Sequence, residues 1–350
     1  MKINVLAILL AVLFSVASTP TMAADPTGPN VVVSVKPLHS LVAGVMEGVA
    51  EPQLLITGGG SPHGYVMRPS EAKLLSRADL VVWVGPSLEI FLEKPLATLA
   101  RQAAQVELEH VLEGQLLTQR VGGSWEAHAH HHHDDGHDEH MAEHDEHHAE
   151  LEEHHDHDEH HDQAEHHDHE DGEHHEHAEG RIDAHLWLSP PLAGQIVLQV
   201  AEGLGRIDPA HQEVYQQNAA KMQQRLSQLH QRLQEKLAPV KTVPYLVFHD
   251  AYQYFETAYG LNAVGSITVD PERKPGAQRI SELRDKIKTL NVRCVFSEPQ
   301  FEPRLIATII EGTDVGNGVL DPLGAELATG PDTYFILLNN LADNLLEGLR

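Results

Sequence analysis

The sequence predicts an α/β protein with two similar lobes, each a parallel-type sheet flanked by helices, joined by one long rigid helix. Short apolar runs alternate with helical patterns on both sides of a long acidic segment, which is typical of parallel sheets covered by helices. Asp208 and Pro209 provide an N-cap and a first-turn proline, and no further Gly or Pro occurs until Pro239, which predicts the joining helix. About 300 residues outside the acidic segment are enough for two lobes.

The positions of the apolar runs give the elements of each lobe. In the first lobe we predict strands at 31–35, 53–57, 80–84 and 106–108, with helices at 37–47, 70–77 and 88–100. In the second we predict strands at 245–248, 263–267, 293–296 and 319–320, with helices from 251 and at 276–290, 303–311 and 331–349. The N-terminal lobe should therefore occupy residues 24–207, the joining helix 208–238 and the C-terminal lobe 239–350.

The joining helix should have one buried face. Its apolar residues lie at helical spacing and are expected to pack inward, while its Gln, Arg and Lys side chains face solvent. The inward residues are Val214, Met222, Leu226, Leu229 and Leu233. A rod of this length should limit hinge motion between the lobes.

Residues 1–23 have the features of a secretory signal peptide. Lys2 gives a charged start, an apolar run covers residues 5–16, and small residues precede a cleavage point predicted after Ala23. The run is short for a membrane anchor, and no later segment has the roughly 20 apolar residues that a span needs. A lipoprotein signal would place Cys at the cleavage point. We therefore expect a soluble exported protein in a bacterial periplasm.

Charge and cysteine content exclude several classes of site. The segment at 126–179 holds 22 Asp and Glu, which account for most of the formal charge of −28. The remainder is only mildly acidic, and nothing basic indicates a nucleic-acid partner. Cys294 is the only cysteine and lies in an apolar run, so we expect it to be buried. Because one cysteine forms neither an intramolecular disulfide nor a cysteine-based zinc site, an ordered metal site must use His and carboxylates.

The segment at 126–179 consists almost entirely of His, Asp and Glu and contains 21 of the 28 histidines. With so few apolar residues it is predicted to be a disordered insert in the first lobe. Imidazoles and carboxylates are metal ligands, so the runs should bind ions with modest affinity and little selectivity, and a plain acidic spacer is the alternative. The candidate accessory ligands are His130, His131, His132, His133, His154, His155 and His157.

Outside the insert, position relative to the predicted strands distinguishes the histidines. Ligands of open α/β folds gather beyond the carboxyl ends of the strands, which favours His63, after a glycine-rich loop, and His249, at the end of a strand. An exposed loop histidine and a buried core histidine are the respective alternatives. His185 lies where apolar sequence resumes after the insert, and Asp321 ends a short strand but could equally cap a turn. Four others, on helices or in an acidic loop, are poorer candidates: His39, His110, His211 and His230.

Asp250, directly after His249, has two candidate roles. It could N-cap the next helix, or it could support a metal-binding imidazole through a hydrogen bond.

Seven segments in this order resemble the zinc-specific solute-binding proteins of ABC importers, the ZnuA type. They are SPHGYVMRPS at 61–70, ADLVVWVGP at 78–86, DAHLWLSP at 183–190, VFHDAY at 247–252, PGAQ at 275–278, SEPQF at 297–301 and LDPLG at 320–324. The resemblance implies a metal site in the cleft between the lobes, with His63, His185 and His249 as ligands. Manganese-binding relatives usually have a carboxylate where His249 stands, so imidazole there indicates zinc.

The same resemblance implies the remaining features of the site. Asp321 matches a carboxylate that relatives bring close to the metal, and Pro62 stands where some relatives have a Glu ligand, so the fourth position falls to Asp321 or to water. Some relatives pair the cysteine matching Cys294 with another near the C-terminus, but this chain has no second cysteine. The implied partner is the membrane permease subunit of an ABC importer, and we expect a monomer that binds no small organic substrate.

We therefore predict that the protein captures Zn²⁺ in the periplasm and delivers it to an import permease, with the His-rich insert as an accessory scavenger or sensor. Zinc would be the transported ligand and not a catalytic cofactor. Two alternatives remain. One is a periplasmic metal buffer or chaperone that acts mainly through the insert. The other is a zinc hydrolase, because zinc bound by three histidines can activate water, although no acid/base or oxyanion constellation accompanies these histidines.

Overall fold

The computed structural model describes residues 28–120, 125, 181–268, 275–301 and 303–350. The predicted signal peptide and the His-rich insert, with its seven candidate accessory ligands, lie outside these ranges. The described residues form two four-stranded parallel sheets with helices between their strands. This arrangement confirms the predicted fold class, whereas the domain boundaries remain a prediction.

The first sheet has the strand order β2-β1-β3-β4. Its strands are β1 Val31–Val33, β2 Gln53–Leu54, β3 Leu80–Trp83 and β4 Ala104–Glu107. The helices around it are α1 Lys36–Val45, α2 Pro69–Leu75, α3 Pro86–Glu89, α4 Glu93–Thr98 and α5 Leu108–Val111. Strands β1 and β3 are buried throughout, which explains why they read as unbroken apolar runs.

The single helix predicted at 88–100 is divided into α3, a 3₁₀ turn at Ile90–Leu92 and α4. Pro95 accounts for the break, because a proline lacks the backbone N–H and clashes with the carbonyl four residues earlier. The helix can restart at Glu93 because proline is tolerated in a first turn.

The second sheet repeats the pattern, with the order β6-β5-β7-β8. Its strands are β5 Tyr245–His249, β6 Ala263–Thr268, β7 Cys294–Ser297 and β8 Gly316–Val319. Its helices are α8 Gln253–Tyr259, α9 Ala277–Thr289, α10 Pro303–Ile310 and α11 Thr333–Leu349. Each strand lies within a few residues of its predicted position, and Cys294 is buried as expected.

Two long helices lie between the two sheets in the order of the chain. The joining helix, α7, runs through Gln212–Leu237 after a 3₁₀ turn at Pro209–His211. Before it comes α6, Pro190–Ile207, which none of the predicted elements covers. Its start has an N-terminal signature, since the Ser189 hydroxyl accepts a hydrogen bond from Leu192 N and two prolines follow. Glycine at 203 permits close packing, because a Cβ there would lie 3.0 Å from Val106 Cγ2.

One of the five residues predicted to pack inward on α7 does not. Met222, Leu226, Leu229 and Leu233 are buried, but Val214 is 37% exposed. The neighbouring Tyr215 is buried instead, and its hydroxyl donates to Asp208 Oδ2 at 2.7 Å. The first turn of α7 is therefore rotated so that the larger aromatic side chain fills the core.

A continuous hydrophobic cluster crosses from one lobe to the other. It contains residues of both sheets together with the inward faces of α6, α7 and α11. Helix α11 contacts α1 of the first lobe as well as β8 of the second. Within the described part of the chain, no helix combines the length and apolarity needed to cross a membrane.

Candidate metal centre

His63 lies in a loop that leaves β2 and approaches the second lobe. The loop begins with Gly58 and Gly59, whose φ angles of 74° and 72° are in the left-handed region that favours glycine. At Gly59 a Cβ would also lie 2.9 Å from the Cβ of Ala325, so a larger residue would separate the loop from the second lobe. These glycines allow His63, which is half-buried, to face the cleft.

His185 follows a short connection across the base of the insert. Thr118 and Ile182 form an antiparallel bridge, and Asp183 N donates to Leu117 O at 2.8 Å. Asp183 then holds His185, because its Oδ1 accepts from His185 N at 3.0 Å and lies 2.9 Å from His185 Nδ1. A proton on Nδ1 satisfies this contact, and it leaves Nε2 as the free lone pair.

His249 is the last residue of β5 and is buried. Its Nδ1 lies 2.6 Å from Glu298 Oε1, and the Glu298 side chain is 1% exposed. Glu298 directly follows β7, the parallel neighbour of β5. A carboxylate on Nδ1 fixes the ring orientation and directs Nε2 toward the cleft, as it does for His185.

The three Nε2 atoms converge on one point. His185 Nε2 lies 3.4 Å from His63 Nε2 and 3.3 Å from His249 Nε2. Two nitrogens bound to zinc at about 2.05 Å with tetrahedral angles lie about 3.3 Å apart, so these spacings match a zinc site. Lone pairs that face one another repel unless a cation or a proton lies between them. Among the described residues, these three histidines are the group with metal-binding geometry.

Electrostatics distinguish two of the three imidazoles. Burial, together with the neighbouring His185 and His249, holds the pKa of His63 well below its usual value. Burial also acts to lower the pKa of His249, but the charge and hydrogen bond of Glu298 outweigh it and raise that pKa. The neutral form that binds metal is thus favoured at His63, while protons compete more strongly at His249.

Apolar side chains and the loop after β8 form the walls around the imidazoles. In addition to the three histidines and Glu298, the cavity is lined by the apolar residues Pro62, Trp187, Phe301, Pro322 and Leu323 and by the polar residues Ser61 and Gln300. Largely apolar walls limit the access of bulk water and strengthen the interactions of a bound cation.

Asp321 lies near this cavity but is engaged elsewhere. Its Oδ1 accepts from Leu323 N and Gly324 N at 3.0 and 2.9 Å, and its Oδ2 accepts from Ala325 N at 2.6 Å. Gln300 Nε2 also donates to Oδ1, at 3.1 Å. In this structure Asp321 therefore caps a turn, the alternative that its sequence position left open.

Asp250 has neither of the two roles considered for it. Helix α8 begins after Tyr252, without an Asp250 cap, and the imidazoles of His185 and His249 donate their hydrogen bonds to Asp183 and Glu298. Asp250 instead pairs with Arg120, whose Nη1 also lies 2.6 Å from Glu256 Oε2. The pairing joins the segment before the insert to the second lobe and neutralises buried carboxylates.

The four less favoured histidines lie away from the three-histidine group. His39 is buried, and its Nε2 contacts Pro52 O at 2.9 Å. His110 lies in α5 and not in a loop, while His211 lies in the 3₁₀ turn before α7 and contacts Asp208. His230 Nδ1 lies 3.3 Å from the Tyr259 hydroxyl.

Sequence reasoning missed the two carboxylates that hold the imidazoles, although each had a signal. Asp183 stands two residues before His185, close enough for a local hydrogen bond. Glu298 follows β7 as His249 ends β5, and parallel neighbours bring such residues together.

Comparisons with known proteins agree with the fold. The family model "ZnuA: Zinc-uptake complex component A periplasmic" matches residues 31–348. The chain is 48% identical over 320 residues to the high-affinity zinc uptake system protein ZnuA of Brucella abortus (strain 2308), covering 91% of each chain. It is 38% identical over 340 residues to the protein of the same name from Haemophilus influenzae, covering 97% of each.

Solved structures share the fold at lower sequence identity. A crystal structure titled "Crystal structure of ZnuA" is 21% identical, with a TM-score of 0.68, and covers 92% of this chain and 100% of its own. A mutant structure of the laminin-binding adhesin Lmb from Streptococcus agalactiae has the same TM-score, identity and coverage. The family match spans most of the chain and the Brucella relative is similar over nearly its whole length, so the chain belongs to the ZnuA family of zinc-uptake components.

Proposed function

We propose that the protein captures Zn²⁺ with high affinity and delivers it to the membrane permease of an ABC importer. The observation that carries this proposal is the convergence of three Nε2 atoms at 3.3 and 3.4 Å, the spacing of a tetrahedral zinc site. Membership of a family of zinc-uptake components supports the same metal and the same role. Zinc is then the transported ligand, and the protein is a binding component and not an enzyme.

His63, His185 and His249 are the proposed ligands, and water takes the fourth position. Water is favoured over Asp321 because both Asp321 oxygens already accept backbone hydrogen bonds. Recruiting Asp321 to the metal would leave those N–H groups to find other partners. A water ligand is displaced easily, which suits a protein that must release its ion.

The location and the insert complete the proposal. The description of the family supports a periplasmic protein, in agreement with the predicted signal peptide at residues 1–23. The His-rich insert acts as a lower-affinity scavenger or sensor that raises the supply of ions near the cleft. The protein acts as a monomer until it meets the permease.

Competition titration against a strong zinc chelator tests the ligand set. His63→Ala, His185→Ala and His249→Ala should each weaken the tight site by several orders of magnitude, because each removes one of three protein ligands. His211→Ala, on a half-buried histidine outside the group, is the matched control and should bind as the unchanged protein does. Unchanged affinity in all three ligand variants would refute the assignment.

Deletion of residues 126–179 separates a receptor from a metal buffer. A receptor without the insert should bind fewer zinc ions per chain but keep one tight zinc site in the chelator titration. A buffer that works through the insert should lose nearly all zinc binding, and loss of the tight site would contradict the two-site proposal.

A further inference from the structure

Lys36 connects the two lobes beside the metal centre. It is the first residue of α1, directly beyond the carboxyl end of β1 in the first lobe. Its Nζ donates to three carbonyl oxygens of the second lobe: Gly324 O at 2.7 Å, Ala325 O at 2.7 Å and Leu327 O at 2.8 Å. An ammonium group has three N–H donors, so the hydrogen-bonding capacity of Lys36 is fully used by one loop.

We call residues 321–327 the cleft loop, because Pro322 and Leu323 line the metal cavity. Asp321 binds the backbone N–H groups of this loop, while Lys36 binds its carbonyls. The loop is therefore held from both sides. One side belongs to its own lobe and the other to the first lobe.

Two further contacts connect the cleft loop to the segments that carry His63 and His185. Trp187, two residues after His185, donates from Nε1 to Pro322 O at 2.9 Å. Gly59, in the His63 loop, comes so close to Ala325 that an added Cβ would lie 2.9 Å from the Ala325 Cβ. Lys36 holds the carbonyl of that same Ala325. The position of the cleft loop thus affects how closely the first lobe approaches the second.

The metal site depends on that approach. His63 and His185 belong to the first lobe and His249 to the second, yet their Nε2 atoms must stay within about 3.3 Å to bind zinc in a tetrahedron. We propose, on the basis of the zinc-binding function above, that Lys36 is a positioning residue that sets the lobe spacing and so selects for an ion of the size of zinc. Lys36 itself does not bind the metal.

Chelator competition on the full chain, with Zn²⁺ and the larger d¹⁰ ion Cd²⁺, tests this role. Lys36→Met keeps the aliphatic stem and removes the ammonium. It should weaken Zn²⁺ binding about tenfold or more, because three charged hydrogen bonds across the cleft are lost. Cd²⁺, which has longer bonds, should lose less affinity, so the preference for zinc should shrink several-fold. Lys94→Met, at an exposed lysine of the same lobe, should change neither affinity.

Simple charge removal predicts the opposite sign. Loss of a positive charge near the site would strengthen binding of both cations by Coulomb's law. Unchanged zinc affinity in Lys36→Met, or equal loss for Zn²⁺ and Cd²⁺, would overturn the positioning role. If Lys36→Met does not fold, Lys36→Gln takes its place, with the same expected changes in Zn²⁺ and Cd²⁺ affinity. If instead His63→Ala, His185→Ala and His249→Ala all leave zinc binding unchanged, the ligand assignment on which this inference rests fails, whatever Lys36 does.

Discussion

Glu298 offers the sharpest test of how the protein controls its zinc affinity. The carboxylate lies 2.6 Å from His249 Nδ1, and its side chain is 1% exposed, so solvent screens the interaction little. Glu298→Gln keeps the shape and an acceptor oxygen but removes the charge. The imidazole would still face the cleft, but with less electron density on Nε2.

The expected loss follows from the role of Glu298. Carboxylates that hold metal-binding histidines typically contribute 10–100-fold to metal affinity, which corresponds to about 1.4–2.8 kcal/mol. We expect Glu298→Gln to fall near the lower figure and Glu298→Ala near the upper one, because Ala also frees the ring to rotate. Chelator competition at pH 7.5 measures both. Glu311→Gln, at an exposed glutamate of the same lobe, is the matched control and should have no effect.

A second readout moves in the opposite direction. Glu298 raises the pKa of His249, so the Gln substitution should lower that pKa. Protons compete with zinc for Nε2, so in a plot of log Kd against pH the bend that marks protonation of His249 should move to lower pH, even as affinity at pH 7.5 falls. Partial unfolding would weaken binding without this shift. Unchanged affinity together with an unchanged pH profile would refute the proposed role of Glu298.

Three further predictions use stability and titration. In an NMR titration of the metal-free protein, His249 should protonate above the usual imidazole pKa of about 6.5 and His63 well below it; the reverse order would contradict the electrostatics. Arg120→Met should destabilise the protein by about 3–5 kcal/mol in urea unfolding, because it leaves Glu256, whose pKa is raised to about 7, buried without its cation. Leu229→Ala should cost about 2–5 kcal/mol and Val214→Ala under about 0.5, and equal losses would contradict the burial of α7.

The strands β1, β3 and β5 could be predicted from the sequence because a parallel sheet buries both of their faces, whereas the edge strands β2 and β8 are mostly exposed and differ more from their predicted bounds. A short apolar run with a turn on either side, such as the one that forms β3, is most simply interpreted as a buried strand. The helices were harder to predict from the sequence than the strands. Helix α6 contains glycines at 203 and 205, which argue against a helix locally, yet the first packs closely on Val106 of the first sheet and the second on Gln212 of α7. The exposure of Val214 likewise depends on tertiary packing, since Tyr215 takes the buried position at the start of α7.

Strand ends and the resemblance both indicate His63 and His249 as ligands, whereas His185 is indicated by the resemblance and by the return of apolar sequence after the insert. Their partners could not be selected in the same way. Asp250 stands next to His249 in the chain, but a residue at i+1 beyond a strand points away from its neighbour. It meets Arg120 from the other lobe, 130 residues away in sequence. Adjacency along the chain was therefore a poor guide to which acid holds which imidazole.

Register in the parallel sheet is the better guide. Strands β5 and β7 are paired with Val247 opposite Phe296, so the residues just beyond these positions emerge side by side at the carboxyl edge. His249 and Glu298 each stand two residues past that pair, and their side chains meet at 2.6 Å. To infer that His249 and Glu298 are neighbours, one needs only the strand order and one pair of residues in register. Both depend on pairing between distant parts of the chain. Once the two apolar runs are aligned as neighbours, this relation identifies Glu298 as the carboxylate that holds His249 Nδ1 and orients the ring toward the proposed metal position.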